Sequence, residues 1–239
     1  RQRQMCIRDS IDFSCHKGQK IAVIGSTGSG KSTLVKLMNR FYDVSRGSIE
    51  INGVDIRKYN LESLRTQIGY VAQKAHMFKG SIQSNICFGK PEASVEEMVH
   101  AATVAQASDF ISTREHGYED EIAEDGTNIS GGQKQRLSIA RVILKKPSLY
   151  IYDDSFSALD FKTDATLRKA LKPEVKNAIF FVVAQRISTI MDSDMIIVLD
   201  EGQIIGMGTH AQLLKDCSVY QEIAHSQLTQ KELDDYERN

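Results

Sequence analysis

One eight-residue stretch constrains this chain more than any other. Gly25-Ser26-Thr27-Gly28-Ser29-Gly30-Lys31-Ser32 fits the pattern G-x-x-x-x-G-K-[ST]. It follows a short apolar run, Lys20–Ile24 (KIAVI), and precedes a helical pattern through Leu34, Leu37 and Met38. Strand, glycine loop and helix is the order the pattern needs. Glycines let successive backbone N–H groups turn toward one anion, and the helix N-terminus adds a favourable dipole. Lys31 is then placed for the β- and γ-phosphates of a nucleotide, and Ser32 for Mg²⁺. Every residue from Gly25 through Ser32 into Thr33 is a candidate nucleotide contact.

The rest of the chain agrees with an α/β fold. Ile11–Ser14 alternates like a strand. Ser48–Asn52 and Val54–Ile56 read as a strand pair turning at Asn52-Gly53. Further strands are expected at Ile68–Ala72, Leu149–Asp153, Ala178–Ala184, Met195–Asp200 and Gln203–Met207. Helices lie between or after them, and strands alternating with helices predict a mostly parallel sheet. From about 74 to 145 the texture is helical, with a capping box at Ser94-x-x-Glu97. That stretch is expected to be an inserted helical subdomain.

Composition narrows the partners. The 30 Lys and Arg nearly cancel the 31 Asp and Glu, so nothing global suggests nucleic acid or an anionic surface. The longest apolar runs, IFFVVA at 179–184 and MIIVL at 195–199, are too short to cross a bilayer. The four cysteines show no metal or redox spacing, which fits a reduced cytosolic compartment. The histidines show no metal-ligand grouping. Residues 1–10 (RQRQMCIRDS) resemble the translation of a transposon-end adapter used in sequencing libraries, so they are expected to be non-native. Residues 230–239 form a polar tail, leaving 11–229 as the folded domain.

A second acidic motif completes the first. Ser148–Asp153 (SLYIYD) is an apolar run ending in a carboxylate that would hold Mg²⁺ through water, opposite Ser32. Ser130-Gly131-Gly132-Gln133 has the capping-box form S-x-x-Q at the head of a helix through Leu137, Ala140 and Ile143. With these in order, the chain resembles the nucleotide-binding domain of an ABC transporter of the exporter type. Gly25–Ser32 matches Walker A, Gln73 the Q-loop and Ala123–Gly126 the exporter x-loop. Ile129–Gln133 (ISGGQ) matches the signature with Ile for Leu, and Leu149–Asp154 matches Walker B. Ser157–Asp160 matches the D-loop, and Ala184-Gln185-Arg186 stands at the H-loop.

The resemblance implies a P-loop NTPase fold: a parallel-sheet core, an antiparallel β part and the inserted helical subdomain. It implies ATP and Mg²⁺ as cofactors, with Ser32, Gln73 and Asp153 at the metal. It implies that Ser130, Gly131, Gly132 and Gln133 serve the ATP of a second subunit. It further implies a transmembrane domain upstream in the native chain, the cytoplasmic face of the plasma membrane, and no nucleic acid. The family's adenine-stacking aromatic is expected before Ile11, in the stretch read as non-native.

Two positions depart from the family. Asp154 stands where a longer Glu polarises the attacking water, a reach deficit of about 1.5 Å. Gln185 replaces the switch His, and a neutral amide loses a charge-assisted contact. Asp154, Gln185 and Gln73 are the candidate catalytic residues. The binding groups Lys31, Ser32 and Asp153 are all present. The expectation is tight Mg·ATP binding with slow cleavage, as in the degenerate-site half of a heterodimeric, multidrug-like exporter whose partner carries the intact site. The rival readings are a slow homodimer that tolerates both variants, a soluble ABC-type ATPase, and a nucleotide-binding regulator not coupled to transport.

Overall fold

The computed structural model describes residues 11–228. The expected non-native leader at 1–10 and the expected tail at 230–239 lie outside them. In chain order the elements begin β1 (Lys20–Gly25), α1 (Lys31–Met38), β2 (Glu50–Ile51), β3 (Val54–Asp55), α2 (Leu61–Gln67) and β4 (Ile68–Val71). They continue with β5 (Gly80–Ser81), α3 (Ile82–Cys87), α4 (Val95–Val104), α5 (Ser108–Ser112), β6 (Glu121–Ile122) and α6 (Gly131–Lys145). Then come β7 (Leu149–Asp153), α7 (Phe161–Glu174), β8 (Ile179–Val183) and α8 (Ile187–Ile190). The last are β9 (Met195–Asp200), β10 (Gln203–Gly208), α9 (His210–Asp216) and α10 (Ser218–Gln227). The chain forms two compact units: residues up to Leu64 with those from Ile179 on, and Arg65–Ala178.

In the first unit β1 is a central strand. It pairs in parallel with β8 (Ile21 opposite Phe181) and with β9 (Ile24 opposite Val198), and β10 runs antiparallel to β9. A strand covered on both faces needs apolar residues throughout. Ile21, Ala22, Val23 and Ile24 are accordingly all buried. β2 and β3 pair antiparallel across Asn52 and Gly53, both at positive φ, as the Asn-Gly turn predicts.

Two expectations on this unit change. The β2–β3 pair is only two residues per strand, because Ile56 turns into a 3₁₀ turn, Ile56–Lys58. The Asp55 side chain caps that turn by accepting from the Arg57 N–H at 2.9 Å. Ile11–Ser14 alternates in burial but belongs to no strand. Its apolar anchor is Phe13, stacked on Phe181 at 6.2 Å between ring centroids. Alternation there reflects two half-buried side chains, Ile11 and Phe13, not a ladder.

In the second unit β4 pairs in parallel with β7, with Ile68 opposite Leu149. The same unit holds α3, α4, α5 and α6, of which α6 packs on β4, and the short β5 pairs antiparallel with β6, a pairing the helical texture gave no sign of. α6 buries Leu137, Ile139, Ala140, Val142, Ile143 and Leu144. It comes close to β4, because a Cβ on Gly69 would lie 2.5 Å from Val142 Cγ1 and 2.6 Å from Pro147 Cγ. Lys145 ties α6 to the α2–β4 junction, donating to the carbonyls of Arg65 and of Ile68, the latter at 2.8 Å.

Candidate functional site

The glycine loop lies in the first unit, between β1 and α1. Gly25 has φ +156°, and a Cβ there would stand 2.0 Å from the Leu199 carbonyl oxygen, so no side chain fits. Gly30 caps α1 in a left-handed conformation (φ 107°, ψ 2°), which glycine adopts without strain. The loop curls around its own lysine. Lys31 Nζ donates to the carbonyls of Gly25 and Ser26, each at 2.7 Å, and to Ser29 Oγ at 3.2 Å. A concave backbone, a central ammonium and a helix N-terminus make an anion cradle.

The cradle is braced from the β9–β10 turn. Gly202 N–H donates to the Ser29 carbonyl at 3.0 Å, and Ser26 Oγ donates to Asp200 Oδ1 at 3.2 Å. Ser29 is buried, while Ser26, Thr27 and Gly28 are exposed along the rim. Ser32 presents an exposed hydroxyl in the first turn of α1, beside half-buried Thr33. Gln185 lies in the same unit, exposed on the loop between β8 and α8.

The acids lie in the second unit, at the end of β7. Asp153 and Asp154 are 4% and 8% exposed. Tyr70, on the adjacent β4, donates its hydroxyl to Asp153 Oδ2 at 3.3 Å. Its phenol is pushed up to about 12, first by burial, then by the Asp153 charge and this hydrogen bond. Asp154 has φ +48°, a conformation a residue with a Cβ holds only where its surroundings enforce it. Here the Asp154 carbonyl accepts from Ser157 Oγ at 2.7 Å. Its carboxylate Oδ2 accepts from Gln73 Nε2 at 3.0 Å. Gln73, exposed after β4, is thus joined to the short acid across 81 positions of sequence.

The S-G-G-Q head of α6 is a reciprocal capping box. Gln133 N–H donates to Ser130 Oγ at 3.2 Å, and Ser130 N–H donates to Gln133 Oε1 at 2.9 Å. Gly131 is exposed, and a Cβ on it would meet nothing within 4 Å. Gly132 lies nearer the next motif, 3.4 Å from the Ala158 carbonyl oxygen to an added Cβ. Asp160 ends that motif as the cap of α7, accepting from Thr163 N–H at 2.9 Å. Its hydrogen bonds from the Thr163 hydroxyl and amide hold its carboxyl below the usual range.

Two residues of the site went unread in the sequence: Tyr70, which touches Asp153, and Gln227, whose amide reaches the Gln185 loop. A tyrosine in an apolar strand and a glutamine near a helix end carry no local signal. Only pairing across the fold identifies them.

The ABC transporter family matches residues 8–157, more than half of the chain. The chain belongs to this family and is an ATP-binding domain of it. An uncharacterized ABC transporter ATP-binding protein of Mycobacterium bovis is 43% identical over 224 residues, 92% of this chain and 38% of that protein. A Bacillus subtilis protein, named for multidrug export as an ATP-binding/permease protein, is 44% identical over 217 residues, 91% of this chain and 37% of that one. The solved structure of a bacterial Atm1-family ABC exporter with ATP bound superposes with a TM-score of 0.85 at 38% identity, covering 87% of this chain and 37% of that one. The chain therefore spans about two fifths of the length of these relatives. Among the described residues no helix is long and apolar enough to cross a membrane.

Proposed function

We propose that this chain is the ATP-binding domain of an ABC exporter, that it binds Mg·ATP, and that its own site cleaves ATP slowly. In the first unit, the curled loop at Gly25–Thr33 takes the phosphates, with Lys31 on the β- and γ-phosphates and Ser32 toward the metal. In the second, Asp153 and Gln73 are the metal-holding residues. An exposed hydroxyl and a strand-end carboxylate suit Mg²⁺, a hard cation that keeps water and takes phosphate oxygens. When bound, the ion neutralises charge on those oxygens.

The observation that carries the slow-site reading is the state of Asp154. Its carboxylate is one methylene short of a glutamate, its backbone is fixed at φ +48°, and its Oδ2 is held by the Gln73 amide at 3.0 Å. A general base must lie within hydrogen-bond reach of the proton it takes. Misplacement by about 1 Å costs on the order of a hundredfold. Gln185 compounds this, because an amide donates to a γ-phosphate oxygen without the charge an imidazolium brings.

The S-G-G-Q head is intact and open, so the chain retains what a second subunit needs. We propose that it pairs with a non-identical ABC subunit that carries the stronger catalytic site. Both would couple to a transmembrane domain at the cytoplasmic face of the membrane. The test is ATP turnover by the purified chain at high concentration beside its Asp154→Glu, Gln185→His variant, with Mg·ATP binding measured on both. The expected result is equal binding, with turnover at least about a hundredfold higher in the variant. Equal turnover overturns the slow-site reading and makes a homodimer sufficient.

A further inference from the structure

The loop that carries Gln185 is held from far along the chain. Gln227, the last residue of α10, turns its side-chain amide on the backbone of that loop. Its Nε2 donates to the Gln185 carbonyl at 2.8 Å, and its Oε1 accepts from the Ile187 N–H at 2.8 Å. One planar amide thus makes two bonds of opposite sense to backbone groups two residues apart. That fixes the orientation of the intervening peptides as a single bond could not. Ala184 and Ile187 on either side are buried, whereas the Gln185 side chain is exposed. The burial anchors the flanks, and the clamp sets the stretch between them.

The clamp has a firm base. Tyr220 and Ala224 of α10 are fully buried. Tyr220 is bonded through its hydroxyl to His210 Nδ1 at 2.6 Å, and Gln221 Nε2 donates to the Leu214 carbonyl at 2.7 Å. α10 is therefore seated on α9 by its first turn, and Gln227 reaches the loop from its final turn.

We propose that Gln227 is a positioning residue: it clamps the Gln185–Ile187 backbone, so that the last turn of α10 sets where the Gln185 amide points. The inference rests on the proposed role of Gln185 at the third phosphate of ATP. It adds a residue outside every recognised motif. It also makes the end of α10 a place from which γ-phosphate sensing is controlled.

The test combines amide exchange and nucleotide binding on the full chain and its Gln227→Ala variant. The Ile187 amide is expected to exchange at least about tenfold faster in the variant, while amides of β1 and β9 keep their rates. Mg·ATP affinity is expected to fall about fivefold with Mg·ADP affinity changed less than twofold, because Gln185 addresses only the third phosphate. Unchanged Ile187 exchange overturns the clamp. So does acceleration shared by β1 and β9, which would mark a general loosening. Parallel losses of ATP and ADP affinity, or none, overturn the positioning role. If the native chain binds neither nucleotide, the functional reading fails and the role of Gln185 with it. The Ile187 arm still decides the clamp in that case.

Discussion

At the scale of single residues, the acids at the end of β7 are set by their neighbours. Tyr70 supplies a phenol to Asp153 at 3.3 Å and is itself pushed up to about 12. That shift fixes the sign of a pH effect. A phenol ordinarily ionises near 10, and here the fold favours its neutral form. Its stabilising contribution is whole below pH 10 and is lost as the pH rises from 10 toward 12. Tyr70→Phe keeps the ring and removes the ionisation. The variant should lose less stability between pH 8 and pH 11 than the parent, read from urea midpoints at both values. An equal or larger loss would show that Tyr70 is not among the groups governing alkaline unfolding. The buried phenols of Tyr150 and Tyr152 are raised in both proteins and cancel from the comparison.

At the scale of elements, the tightest demand is the approach of α6 to β4 at Gly69. An alanine there would press on Val142 Cγ1 at 2.5 Å and on Pro147 Cγ at 2.6 Å. Overpacking of this kind costs about 1–3 kcal/mol. Gly69→Ala should lower the urea midpoint accordingly, and adding Val142→Ala should recover part of the loss by vacating one of the two contacts. If the double variant is no better than the sum of the singles, the two sites are not in steric conflict. This glycine also shows what was legible and what was not. The chain announces structure wherever the cause is local. The glycine loop, the Asn52-Gly53 turn and the capping boxes at Ser94 and Ser130 were all readable and are all present. What depends on a distant neighbour was silent. The β5–β6 pair joins Gly80 to Ile122, and the Gln73–Asp154 bond spans 81 positions. Ile11–Ser14 misled for the same reason. Its alternation was real, but a strand needs a partner, and the sequence does not say whether one is there.

At the scale of the whole molecule, the proposed division of labour predicts complementation. On that proposal the native chain has a weakened catalytic set at Asp154 and Gln185 and an intact S-G-G-Q head. A chain carrying Asp154→Glu, Gln185→His and Gly131→Asp would have the reverse. Gly131 is the right place to block the head, since a side chain there meets nothing within 4 Å and the fold should tolerate it. The added carboxylate at a helix N-terminus would repel a phosphate offered to it by another subunit, where the backbone alone attracts one. Each chain alone should bind Mg·ATP and turn it over slowly. Mixed, they can form one dimer in which the restored Glu and His of one chain meet the intact head of the other. ATP turnover should therefore rise well above the sum of the separate rates, peaking near equal proportions. Turnover by the triple variant alone would mean that cleavage does not need an open S-G-G-Q head. A silent mixture, with the Asp154→Glu, Gln185→His chain active by itself, would mean that the two chains do not complete each other's sites. In either case the pairing with a second catalytic subunit would have to be abandoned.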